Sequence, residues 1–159
     1  MVKDNRYPIL IIFAVLWIIA DQASKAAIVR NIPLYDGFAV IPFLNIVHVR
    51  NYGAAFGFLN NPESSWQFWF FVFVTMAALG IILHFMRKMP YSKILSFGFA
   101  CILGGAAGNF IDRVRLRYVI DFIDLYYKEW HWPVFNIADI AICFGTFLVA
   151  YIFYKSPDR

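Results

Sequence analysis

The sequence predicts a membrane all-α fold. A four-transmembrane-helix bundle carries a small extramembrane β-sheet and a short interfacial helix on its outer side. Three observations lead there. Of 159 residues, 62% are hydrophobic and 20% aromatic, far from soluble norms. Four stretches are long enough to cross a bilayer, which takes about 20 mostly apolar residues. The basic residues gather at the ends of those stretches, as membrane anchors do.

The first span runs from Pro8 to Ile28. Lys3 and Arg6 precede it, as in a signal peptide, but the run leads into Asp21-Gln22 and not a small-residue cleavage site. It therefore reads as a retained helix. The outer segment, residues 29–66, follows. Phe43 to Arg50 is rich in β-branched and apolar residues, and Asn51-Tyr52-Gly53 is a turn signal. A small sheet on the membrane surface is expected, then a flexible piece through Asn60-Asn61-Pro62. The second span is Gln67–Met86. A short basic turn from Arg87 to Lys93, broken at Pro90, leads to the third, Ile94–Arg113. Tyr126, Tyr127, Trp130 and Trp132 read as an interfacial aromatic belt. The fourth span is Asn136–Tyr154. With no repeat or linker, residues 1–159 form one domain. Cys101 and Cys143 lie within spans without metal-ligand spacing and read as small buried hydrophobes.

The net charge of +4 does not point to nucleic acid, because the cations sit at helix ends. Four spans put both termini on one side. Lys and Arg divide seven against seven between the two sides, or seven against five once Lys25 and Arg113 are set aside as lying within spans. That difference favours cytoplasmic termini.

The polar clusters agree in depth. Asp21 lies about 10 Å before the outer end of the first helix, at 1.5 Å per residue. Asp112 is at the outer end of the third, and Asp139 about one turn into the fourth. Ionisable groups converging at one membrane depth suggest a site. Asp21, Ser24 and Lys25 share a helix face at i, i+3 and i+4, and Asp21–Lys25 is well spaced for an ion pair. Such a pair either neutralises two charges in the membrane or also orients a site. Ser24-Lys25 does not read as a serine–lysine protease pair, since adjacent helical residues point about 100° apart. Gly104-x-x-x-Gly108 reads as close helix packing. Asn109, Asp112 and Arg113 share one face and need partners, or form a solvated helix end. Asn136 and Asp139 share a face, with Asn136 alternatively an N-cap. Asp139 has no basic partner within its helix and is either protonated or matched by another helix. Asp121 on its own is a loop acid, made notable by the return of the chain toward Asp139. Asp124 reads as solvated. His48, His84 and His131 have no zinc-site spacing, and no metal is expected.

Together the blocks Asp21-Gln22-Ala23-Ser24-Lys25, Asn51-Tyr52-Gly53-Ala54-Ala55-Phe56, Gly104-Gly105 through Gly108-Asn109 to Asp112-Arg113, Val119-Ile120-Asp121-Phe122, and Phe135-Asn136-Ile137-Ala138-Asp139 resemble the lipoprotein signal peptidases, the bacterial type II signal peptidases. The resemblance covers nearly the whole chain. It implies an aspartyl protease without metal or cofactor, cleaving prolipoproteins just before a lipid-modified cysteine at the periplasmic face of the inner membrane. It implies Asp121 and Asp139 as the catalytic dyad. Asp21, Lys25, Asn51, Gly53, Asn109, Asp112, Arg113 and Asn136 match positions that line or support the family's site. It implies cytoplasmic termini, a cradle and lid over the substrate from residues 32–60, membrane lipids as surroundings and a monomer. Asp112 competes with Asp121 for the catalytic role, but adjacent Arg113 offers to neutralise it. Two rivals are a proton-coupled carrier, which wants polar groups through the full membrane depth, and a non-catalytic assembly factor using the glycine face and ion pair.

Overall fold

The computed structural model describes residues 6–53, 65–88 and 92–155. In chain order the elements are α1 (Arg6–Asn31), β1 (Gly37–Ile41), β2 (Leu44–Asn51), α2 (Ser65–Lys88), α3 (Lys93–Leu116), β3 (Val119–Tyr127), β4 (Trp130–His131) and α4 (Ile137–Lys155). Each expected span is present, and all but α4 extend past both of their expected ends. All four helices are long and apolar enough to cross a membrane. No separate short helix occurs among the described residues of the outer segment. Most of the Arg87–Lys93 turn and the Asn60-Asn61-Pro62 piece lie outside the described residues.

α3 is the central helix, and its membrane window is 61% buried against 17% or less for the others. It packs mainly on α4 and α1, and less on α2. Its glycines explain why: a Cβ on Gly104 would stand 2.8 Å from the Ala14 carbonyl of α1, and one on Gly105 would collide with the Ala138 carbonyl of α4. Removing side chains there brings backbones together, the packing mode favoured where lipid supplies no hydrophobic drive. At one end of the bundle Leu10, Met86, Leu95, Phe99 and Leu103 form an apolar core. The polar clusters occupy the other end.

Ser92 caps the start of α3, its side chain accepting from the Leu95 N–H. The end is sharper. Arg117 takes a left-handed φ of 71° and its N–H donates to the Arg113 carbonyl. The chain therefore turns back at once, and β3 begins beside the last turn of α3.

The sheet runs β1-β2-β3-β4, antiparallel throughout. The expected strand over 43–50 is β2. β3 is a correction: the residues around Asp121, read as loop, form the longest strand. Asp124 is the second correction, for it is 5% exposed and not solvated. A two-sided strand with acids on both faces lacks the simple polar–apolar alternation of a half-buried one, so its period was masked. Trp130, Trp132 and Tyr127 are exposed, as a belt requires. Cys101 is buried, while Cys143 is exposed, against expectation.

Candidate active site

Lys25 organises the deep part of the site. Its ammonium lies 2.9 Å from Asp21 and 2.8 Å from Asp112, and donates to Asn109 Oδ1 at 2.9 Å. Three donors meet three acceptors with Lys25 only 2% exposed, which satisfies the requirement that a buried charge be paired and bonded. Ser24 instead donates to the Asp21 carbonyl, so no serine–lysine pair forms. Gln22 donates to Asp21, Asp112 and the Gly108 carbonyl. Gly108 permits this, since a Cβ there would sit 2.6 Å from Asp21. Asp112 also accepts from the Ile120 N–H at 3.3 Å, tying the start of β3 to α3. Its neutralising partner is thus Lys25 and not Arg113, a correction that sequence adjacency could not supply.

Asp121 and Asp139 line one cavity of about 630 Å³. Three asparagines hold them. Asn51 donates to Asp121 Oδ2 at 2.9 Å, Asn136 to Asp121 Oδ1 at 2.6 Å, and Asn109 to Asp139 Oδ1 at 2.9 Å. The fourth oxygen, Asp139 Oδ2, accepts from the Asn136 backbone N–H at 3.1 Å. Each amide is oriented by a group that can only donate. Lys25 faces the Asn109 oxygen, the Gly53 N–H faces that of Asn51, and the Asp139 N–H faces that of Asn136. Each NH₂ is left to point at a carboxylate.

Asn136 is both things the sequence left open. Its side chain caps α4 by accepting from the Asp139 N–H, while Asp139 reaches back to the Asn136 N–H, a capping box in asparagine and aspartate. The Ala138 N–H donates to Asp21 at 3.1 Å. The N-terminus of α4, where negative charge is favoured, is therefore anchored to α1.

Arg113 leaves the Lys25 network. It donates to the Gly53 carbonyl at 3.2 Å and lies 5.2 Å over the Phe71 ring, within the field of Asp139, Asp121 and Asp112. Asp121 is pushed up to about 7, by burial first and by the charge of Asp139 second. The cavity is polar at this end. It turns apolar along α4, where Ile140, Cys143 and Phe144 line it. Every site residue expected from the sequence stands in this network. Gln22 was missed; its place directly after Asp21 and three residues before Lys25 was the available signal.

Comparison with known proteins agrees with this geometry. The family model for signal peptidase (SPase) II matches residues 13–155. Proteins named lipoprotein signal peptidase are 43% identical over 96% of this chain and 93% of theirs in Nitratidesulfovibrio vulgaris, and 44% identical over 94% and 97% in Oleidesulfovibrio alaskensis. Solved structures of a bacterial membrane enzyme, obtained in meso at 2.3 and 1.9 Å, match with TM-scores of 0.84 and 0.82 at 36% and 34% identity. They cover 94% of this chain, and 89% and 94% of theirs. Four apolar helices, paired acids at one end and a match over nearly the whole length converge: the chain belongs to the signal peptidase II family of aspartic membrane proteases.

Proposed function

We propose that this chain cuts the signal peptide from diacylglyceryl-modified prolipoproteins just before the lipidated cysteine, with Asp121 and Asp139 as the catalytic dyad. The observation that carries the reading is the meeting of the two acids in one cavity, both bonded to Asn136. Two neighbouring carboxylates do not ionise together easily, so the pair keeps one proton over a useful pH range. The ionised member takes a proton from water as its oxygen attacks the scissile carbonyl carbon. The protonated member donates to the carbonyl oxygen, forming a tetrahedral diol. In the second step the acid that took the water proton gives one to the amide nitrogen as the C–N bond breaks, while its partner takes a hydroxyl proton from the diol, which leaves a carboxyl product and restores the pair. The raised Asp121 favours it as the group that first holds the proton, while the pair titrates as a unit.

Asp112 is unsuited to the role, since Lys25, Gln22 and the Ile120 N–H occupy it. Arg113 and Asn109 hold the substrate backbone extended, because a peptide bond inside a helix is shielded from attack. Asp21, Lys25, Asp112 and Gln22 set the frame, and Asn51 and Gly53 close the cavity from the cradle. The acyl chains lie along the apolar end of the cavity. The enzyme acts as a single-domain monomer among membrane lipids. Both termini are cytoplasmic, and the site is near the periplasmic face of the inner membrane. The polar network confined to one end of the bundle supports a one-sided site over a carrier.

The test is turnover of a diacylglyceryl-modified precursor by purified protein in liposomes. Asp121→Asn and Asp139→Asn should each lower kcat by at least about 10²–10⁴-fold while inserting and folding normally. Full turnover in either variant refutes the dyad. Ion flux without cleavage points to the carrier.

A further inference from the structure

Asp121 and Asp124 stand on opposite faces of β3, as residues of unlike parity do. Asp121 faces the catalytic cavity, and Asp124 lines a second cavity of about 590 Å³. Although only 5% exposed, Asp124 is bonded on both sides. Asn45, its direct partner on β2, donates to Oδ2 at 2.8 Å. His131 of β4 brings Nδ1 to 2.8 and 3.0 Å from the two oxygens. One carboxylate thus joins three strands. The His131 ring also stacks on Tyr126, at 5.4 Å and 19°.

Two features connect this clasp to the chemistry. Between Asn45 and Asp121's partner Val49, β2 carries an extra residue: Ile46 opposes Ile123, but Val49 opposes Asp121. Such a bulge re-aims the side chains beyond it, and Asp124 pins the strand just before it. On the other side, His131 is followed directly by Trp132, Pro133 and Phe135, which wall the catalytic cavity, and then by Asn136. The backbone of this wall bonds to β3 through the Trp132 N–H to the Leu125 carbonyl and through Phe135 to Phe122 and Ile123.

We propose that Asp124 and His131 are positioning residues for the peptidase reaction. With Asn45 they seat the 132–135 wall against β3, more firmly when the imidazole is charged. This rests on the reading of Asp121 and Asp139 as the catalytic pair. The groups facing His131 are Asp124 and Tyr126 of β3, and Asp36 and Tyr35, which share the second cavity. Lys128 and Glu129 stand in the exposed turn before β4. Among the described residues lining that cavity, His131 is the one cationic type; it contacts the Asp124 carboxylate and shares the cavity with that of Asp36. A charged imidazole makes the stronger bond to Asp124, and a wall held more firmly lowers KM without touching the reacting atoms.

The experiment compares KM and kcat for the diacylglyceryl-modified precursor, from pH 5.5 to 8.5, in wild type, Asp124→Asn and His131→Gln. The dyad's own titration is common to all three and cancels in the ratio of variant to wild type. The KM ratio should be about threefold at the acid end, the scale of one half-exposed ion pair, and become smaller toward the alkaline end, where only the weaker neutral hydrogen bond is lost, with the kcat ratio flat. A KM ratio constant across the range, at one or above it, overturns the proposal. A second measurement needs no turnover. In an Asp139→Asn background, Trp132 emission, taken by difference with Trp132→Phe, should shift across the same range and lose that shift in His131→Gln. A shift that is absent, or that survives His131→Gln, overturns the clasp. Turnover by Asp139→Asn counts against the dyad alone, and the Trp132 signal still decides the clasp.

Discussion

Asn136 holds Asp121 by its side chain, Nδ2 to Oδ1 at 2.6 Å, in the same conformation in which its own side-chain Oδ1 caps α4. Since its backbone N–H also bonds Asp139, helix capping and the alignment of the two acids depend on one residue. The two acids come from a strand and a helix that sequence alone does not join.

That double duty is separable. Serine is as good an N-cap as asparagine, but it has no NH₂ to present to Asp121. Asn136→Ser should keep the thermal midpoint close to wild type and lower kcat about 10- to 100-fold, within the range that alignment of catalytic groups contributes. Asn136→Ala should show the same loss of kcat and also lose about 1 kcal/mol of stability. Melting curves in micelles beside turnover numbers check both. Wild-type activity in Asn136→Ser removes the alignment role.

Lys25 is the sole cation in contact with Asp21 and Asp112 among the described ion pairs. Lys25→Met leaves two buried carboxylates without it. Breaking a buried pair by removing one partner costs about 3–5 kcal/mol, and the midpoint should fall accordingly. Adding Asp112→Asn to Lys25→Met should recover part of the loss, because one unpaired charge is gone. A double variant less stable than Lys25→Met contradicts this account.

Asp121 sets a pH dependence. Its value in the folded protein, about 7, lies above the ordinary 3.8, so the native state binds a proton that the unfolded chain releases in between. Its contribution to stability is complete below the ordinary value and is lost as pH rises through about 7. Wild-type thermal midpoints should decline over that window relative to Asp121→Asn, which has no proton to lose. On the same ground kcat/KM should fall as pH rises through about 7, where the dyad gives up its shared proton. An alkaline limb that starts well above this range places the proton elsewhere.

Some of the protein was legible from local chemistry. The spans follow from apolar length, because a helix that satisfies its own backbone is the solution hydrocarbon permits. The depth of the acids follows from counting residues along those helices. The Asp21–Lys25 pair follows from i, i+4 spacing, and the resemblance carried by the five motif blocks singled out Asp121 and Asp139, which the fold brings to one cavity. β3 was hidden because its pairing partner, β2, lies some 70 residues earlier, as the Asn51–Asp121 bond shows. Asp124 was read as solvated because the groups that bury it, Asn45 and His131, stand on other strands.

Asp112 shows the same division. Its neighbour in sequence, Arg113, turns to Gly53, while Lys25 crosses from another helix to neutralise it. The order of residues thus determined which segments are long and apolar enough to cross a membrane and where along each helix the charges fall, since periodicity and the hydration of side chains are properties of short stretches. Which charge neutralises which, and which amide faces which acid, was decided only when glycines on α3 let three helices and a sheet close together. Electrostatic and hydrogen-bond partners are chosen by distances of about 3 Å, and such distances do not exist until the chain has folded.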